Sequence, residues 1–139
     1  TILGSVDPAA TEGTIFNGEG PISATDPNED AAPYQAVIDQ YGDGVDAMGA
    51  ATVTFRAFMN LYSIMRGLGA EGTTPAGITD ALSSQVDTPS FMGHPYTCNG
   101  QQFDGLPAMC SPQQILGQVE DGELVQLSDW IDVGAIYGD

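Results

Sequence analysis

Two cysteines near the C-terminal end, Cys98 and Cys110, constrain the fold of this chain more than any other residues. A bond between them would close a short loop around the turn-forming dipeptide Asn99-Gly100. A structural zinc site usually needs four cysteine or histidine ligands, and the chain adds only His94 to the two cysteines. A redox pair normally has the C-x-x-C spacing, so a metal pair and free thiols are the weaker alternatives. A disulfide fits best, and it indicates an oxidising compartment.

The charge of the chain excludes some classes of partner. Nineteen acidic residues face only Arg56 and Arg66, and the net charge is −17. Nucleic acid and anionic membrane surfaces are not expected as partners, because binding them requires clustered lysine and arginine. The simplest interpretation is a solvated acidic surface, and adaptation to salt or a cationic partner is the alternative. No apolar run approaches the roughly 20 residues of a membrane span.

Helical patterns fill the middle of the chain. A first helix is predicted after Asp26, which can cap it, with Pro27 at the first helical position and Gly42 at its end. A third helix is predicted from Pro75 to about Ser84. Between these two, a long helix is predicted from about Asp46 to Leu68.

The long helix is apolar enough to be central to the core. One face of it is predicted to be buried along Ala51, Phe55, Phe58, Tyr62 and Met65. A polar strip is predicted to face solvent at Arg56, Asn60, Ser63 and Arg66.

Strands are predicted at the two ends of the chain. A short strand is expected at Thr14–Phe16, and strands and turns are expected from Gln85 to Val133. Around Asp121-Gly122 apolar and polar residues alternate on both sides, which predicts a β-hairpin.

No motif in the sequence assigns a reaction. The G-x-G-x-x-G match at 67–72 follows a helix rather than a strand, which indicates a helix end and linker. His94 precedes Pro95, and a packing role is favoured over a catalytic one. The spacing of the acidic cluster at Asp39, Asp43 and Asp46 misses a calcium loop, and no metal or other cofactor is expected. The residues alone therefore predict an exported, disulfide-bonded, acidic α/β segment.

Several blocks together resemble the C-terminal third of a type I periplasmic binding protein, of the kind that serves branched-chain amino acid ABC transporters. The first block is Thr11–Phe16, which is similar to a strand that enters an inter-lobe crossover in that family. The long helix ending at Gly67-Leu68-Gly69 and the helix ending at Tyr41-Gly42 follow in the family's order. The last block, from Gly100 through Val125, resembles the family's closing hairpins, and the cysteine pair is similar to the variant in large extracellular receptors of actinobacterial type.

The resemblance implies an α/β fold that is one part of a two-lobed protein. Residues 1–22 would be a strand and crossover from the second lobe, and 23–92 the helical part of the first lobe. Residues 93–139 would be a disulfide-bracketed hairpin tail that returns toward the second lobe. Because the opening units of the first lobe have no counterpart in these 139 residues, the chain is expected to be a C-terminal fragment.

The resemblance also implies a function without catalysis. The start of the long helix, at Asp46 and Met48, would face the ligand, and the alternative is a helix cap and a core methionine. The partners would be a small solute and the permease of an ABC importer, and the unpaired surfaces of the fragment could pair with a second copy. The location would be extracellular or periplasmic, with the signal peptide removed and the intact protein anchored to a membrane. A fragment of a secreted hydrolase and a small interaction module are the alternatives.

Overall fold

The computed structural model describes residues 6–20, 29–45, 47 and 50–137. Over these residues the chain combines helices with antiparallel sheets, so it has a mixed α/β structure. The elements in chain order are α1 (Pro8–Thr11), β1 (Ile15–Gly18), α2 (Ala31–Tyr41), α3 (Ala50–Gly72), α4 (Pro75–Ser83), β2 (Thr88–Ser90), β3 (Gly93–Tyr96), β4 (Gln113–Glu120), β5 (Glu123–Gln126), β6 (Ile131–Asp132) and α5 (Val133–Tyr137).

The larger sheet is built around β4, which is its longest strand. β1 and β5 flank β4, and β6 pairs with its first residues, all antiparallel. Alternate residues of β4 point into the core, where Ile115 and Val119 are almost fully buried. The turn from β4 to β5 is Asp121-Gly122, and both of its residues have positive φ angles, of 53° and 78°. Such a turn matches the twist of the paired strands, and the predicted hairpin is confirmed.

The ends of the two C-terminal helices follow local chemistry. Gly69 ends the regular part of α3 with φ 69° and ψ 177°, a backbone conformation that glycine adopts readily. Thr74 caps α4, because its hydroxyl oxygen accepts a hydrogen bond of 3.1 Å from the backbone N–H of Gly77. Ile78 and Leu82 are half-buried, and α4 packs against α3. The predicted helix at Pro75 is confirmed.

An aromatic cluster joins α2, α3 and the β2–β3 hairpin. The ring of Tyr34 lies 5.1 Å from that of Phe55, and the ring of Phe55 lies 5.6 Å from that of Phe91. Tyr34 and Met92 are each 3% exposed. Asp30, at the start of α2, accepts a 2.9 Å hydrogen bond from the backbone N–H of Met92 and makes no side-chain cap of its own helix. One end of α2 is therefore fixed to the hairpin.

The N-terminal boundary of α2 differs from the prediction. Asp26 and Pro27 lie outside the described residues, but Asp30 still lies in a turn and the helix begins at Ala31. The helix ends at Tyr41 with Gly42 as its cap, as predicted.

The predicted buried face of α3 is wrong at two of its five positions. Phe58 and Tyr62 are 62% and 46% exposed. Arg56 and Asn60, which were predicted to face solvent, turn inward instead. They do so because each has a polar partner in a neighbouring segment, and these partners set the rotation of the helix.

Candidate functional site

The residues predicted to contact a ligand, Asp46 and Met48, lie outside the described residues. Ala47, between them, is described and half-buried. Its carbonyl oxygen accepts a hydrogen bond from the phenol of Tyr34. The chain just before α3 is therefore held against α2 at one point, next to the aromatic cluster.

The disulfide between Cys98 and Cys110 is present, so the predicted bond is confirmed. The backbone beside it is also paired, since the N–H of Thr97 donates to the carbonyl of Cys110 at 3.0 Å. The N–H of Cys98 donates to the carbonyl of Gln85 at 3.0 Å, which ties the bridge to the segment after α4. A disulfide of this kind is compatible with an oxidising compartment.

A cleft separates α3 and α4 from the β2–β3 hairpin. It contains two adjoining cavities of about 550 and 400 Å³. Both volumes fall in the range of roughly 300–1,000 Å³ that is usual for sites of small molecules. The residues that line both cavities are Asn60, Ile64, Ser90 and Tyr96.

Asn60 stands between the two cavities and joins α3 to the hairpin. Its Nδ2 donates to the hydroxyl oxygen of Ser90 at 2.9 Å. Its Oδ1 accepts from the backbone N–H of Phe91 at 2.7 Å. Because both ends of the amide are engaged with protein, Asn60 fixes the width of the cleft.

Arg56 closes one side of the smaller cavity. Its guanidinium forms an ion pair of 2.8 Å with the carboxylate of Glu19 and also donates to the carbonyl oxygen of the same residue. The Arg56 side chain is 14% exposed and that of Glu19 is 55% exposed. The pair links the segment after β1 to α3 and brings opposite charges to the edge of the cavity.

His94 lines the smaller cavity and packs against an aromatic ring. The centroids of its imidazole and the Trp130 ring are 5.4 Å apart in an edge-on arrangement. Its Nδ1 lies 2.7 Å from the carbonyl oxygen of Pro95, an acceptor, so the proton is on Nδ1 in this contact. These contacts agree with the packing role that the sequence favours for His94.

Tyr96 is a titratable residue of the cleft, and its pKa is shifted by burial. It is 9% exposed, and burial raises the pKa of its phenol above the ordinary value of 10.0. Below about pH 10 the phenol of Tyr96 is protonated in both the folded and the unfolded chain, and its contribution to stability is fully present. As the pH rises past about 10, the unfolded chain loses its proton first, and this contribution is lost.

We therefore expect the free energy of unfolding to fall more steeply above pH 10 in the natural chain than in Tyr96→Phe. Denaturant titrations at a series of alkaline pH values measure both slopes. Equal slopes in the two proteins would show that the phenol is not held in its neutral form by burial.

The acidic cluster of the sequence does not assemble in the part of the chain that the structure describes. Asp39 accepts a 2.7 Å hydrogen bond from the side chain of Gln35, and Asp43 lies in a turn with φ 45°. Asp46 is outside the described residues. Within the described part of the chain, no three histidine, cysteine, aspartate or glutamate side chains come close enough to hold a metal ion.

Sequence reasoning missed the residues that shape the cleft. Arg56 and Asn60 lie four positions apart on a strongly apolar helix, and this spacing could have indicated an inward polar pair. Ser90 and Tyr96 carry no comparable signal, because their position depends on how the hairpin meets α3.

Comparisons of the chain with protein-family models, with curated protein sequences and with solved structures found no match. In the described part of the chain, no helix has both the length and the apolar character that crossing a membrane requires.

Proposed function

We propose that this chain is the C-terminal part of an extracellular or periplasmic solute-binding receptor, which delivers amino acids or similar small polar solutes to an ABC importer. The observation that carries the proposal is the order of the elements. A short strand (Ile15–Gly18) is followed by the helix that ends at Tyr41, the long helix α3 and the hairpin at Asp121-Gly122. This is the order of the sequence blocks that resemble the type I periplasmic binding proteins.

The proposed ligand contacts are Asp46 and Met48. A carboxylate accepts hydrogen bonds from ammonium and hydroxyl groups, and a methionine side chain adapts to apolar groups of varied shape. Ala47 lies between these two residues in the sequence, and its carbonyl oxygen accepts a hydrogen bond from Tyr34. The proposed activity is binding and delivery of a solute without catalysis, and the proposed partner is the importer's permease.

The disulfide and the charge support the proposed location. The Cys98–Cys110 bond persists only where thiols are not kept reduced. A net charge of −17 keeps a protein soluble at high concentration outside the cell. Anchoring of the intact receptor to a membrane is part of the same proposal and depends on sequence outside these residues.

Calorimetry with leucine, isoleucine, valine and a panel of polar amino acids tests the proposal on two proteins. We expect the 139-residue chain to bind none of them in the micromolar range, because a two-lobed cleft takes polar partners from both sides. The product of the complete gene should bind at least one of them. In that product Asp46→Asn should weaken binding about tenfold or more, as expected for a lost hydrogen bond to a charged group.

Asp43→Asn is the matched control, since it removes the same charge three positions away in an exposed turn. It should leave the affinity unchanged. Micromolar binding by the 139-residue chain would contradict the expectation that this chain holds only part of the binding site. A complete gene product that binds no member of the panel would contradict the proposed function.

A further inference from the structure

One face of α3 carries a seam of mostly apolar side chains that is exposed at its centre and half-buried toward its two ends. Its positions are spaced alternately by three and four residues, which is the pattern of one helix packed along another. At its centre Phe58 and Leu61 are 62% and 37% exposed, and beside it Tyr62 is 46% exposed. The seam consists of Ala51, Thr54, Phe58, Leu61, Met65 and Leu68, and of these Leu61 and Leu68 also border the cleft toward the hairpin.

Side-chain size changes along the seam in a way that selects its partner. Ala51 and Thr54 are small, and Met65 and Leu68 at the other end are large. If a second copy of the seam lies antiparallel, Ala51 meets Leu68 and Thr54 meets Met65, so small residues face large ones. A parallel copy would set large against large and leave gaps between the small residues. The shape of the seam therefore fits an antiparallel copy of itself.

Charge also makes α3 the place where two copies can approach. The chain has a net charge of −17, but α3 holds both of its cations, Arg56 and Arg66, and one acid, Glu71. Arg66 lies over the ring of Tyr62, 5.9 Å from its centroid, at the edge of the seam. In an antiparallel pair the two Arg66 side chains would start about 20 Å apart along the helices. That exceeds the Debye length of about 8 Å at physiological salt, so the two cations repel each other little.

We infer that α3 is a self-association face on which the same seam of a second copy docks antiparallel, centred between Phe58 and Leu61. The interface is small. Phe58 and Tyr62 expose roughly 200 Å² together in each copy, so these two side chains contribute about 400 Å² of the roughly 1,200 Å² that a stable interface buries. Association is therefore weak and reversible, and the acidic remainder of the surface opposes it most at low salt. This inference stands independently of the proposed solute-binding role.

Sedimentation equilibrium of the 139-residue chain, from micromolar to submillimolar concentration, tests the inference at low and at high salt. The average mass should rise from 14.4 kDa toward twice that value, and should rise further at high salt. Phe58→Glu places a charge at the centre of the seam and should hold the mass at that of the monomer throughout.

Val86→Glu is the matched control, because it makes the same charge change at a side chain that is 66% exposed and lies outside α3. It should associate as the natural chain does. A natural chain that stays at 14.4 kDa in every condition would overturn the inference. An equal loss of association in Val86→Glu would also overturn it, since net charge and not the seam would then be responsible.

Cysteine cross-linking tests the direction of the pair. Thr54→Cys combined with Met65→Cys in the same chain should give covalent dimers under mild oxidation, because the two positions meet across the antiparallel pair. Thr54→Cys alone should not, since its two copies would be about 16 Å apart along the helices. Efficient dimers of Thr54→Cys alone would indicate parallel helices and contradict the antiparallel seam.

Discussion

Replacing Tyr34 by alanine is expected to lower the free energy of unfolding by about 3–5 kcal/mol. Tyr34 is 3% exposed, packs edge-on against Phe55 and donates a hydrogen bond to the carbonyl of Ala47. The same substitution at Phe58, which is 62% exposed, is expected to cost less than about 1 kcal/mol. Urea titrations followed by circular dichroism measure both values.

Tyr34→Phe separates the two roles of this side chain. It keeps the ring in the aromatic cluster and removes the hydroxyl that reaches Ala47, so we expect a loss of about 1 kcal/mol. A loss of 3 kcal/mol or more from Phe58→Ala, in the range of buried aromatic residues, would mean that α3 is rotated as the sequence pattern predicts. The inward position of Arg56 and Asn60 would then be wrong as well.

Replacing both Cys98 and Cys110 by serine is expected to lower the free energy of unfolding by about 3 kcal/mol. The bond closes a loop with a sequence separation of 12, and its loss restores freedom to the unfolded chain. Denaturant titration of the natural chain, with and without a reductant, and of the double variant measures the effect. Reduction should bring the natural chain to the stability of the variant.

Two further readings accompany that experiment. The reductant should leave the free energy of unfolding of the double variant unchanged. That result would show that the reductant acts on the natural chain through this bond. Thiol titration of the unreduced, denatured natural chain should find no free sulfhydryl. Two free thiols, or identical stability of the oxidised chain and the double variant, would contradict a stabilising disulfide.

The elements that the sequence predicted correctly are those that nearby residues determine. Thr74 caps α4 through its own side chain, and Gly69 interrupts α3 because few other residues adopt its backbone angles. The turn at Asp121-Gly122 fixes the β4–β5 register through its positive φ angles. The disulfide was predicted because two cysteines and one histidine, His94, are too few for a structural zinc site.

The rotation of α3 could not be predicted, because distant partners determine it. The apolar pattern of α3 is broad enough to allow more than one buried face. The face is decided by Glu19, which lies 37 positions from Arg56, and by the hairpin residue Phe91, whose N–H lies 31 positions from Asn60. A window of local sequence contains neither partner. Phe58 and Tyr62 were therefore assigned to the core although they lie outside it.

The candidate site also has one part that the sequence predicts and one part that only the structure shows. Asp46 and Met48 come from the resemblance to a family, and their assignment stays a prediction. The cleft between α3 and the hairpin comes from the structure, because Ser90 and Tyr96 meet Asn60 only when the chain is folded. A cleft shaped by residues of three separate elements has no signature in the order of residues.

The intact mass of the protein from its native source, captured with antibodies against this chain, tests most directly whether the chain is the C-terminal part of a receptor. A receptor with two lobes needs two domains of about 100–150 residues or more. The predicted result is therefore a native protein much larger than 14.4 kDa, with this chain at its C-terminal end. A native protein of 14.4 kDa, equal to the product of its complete gene, would contradict it.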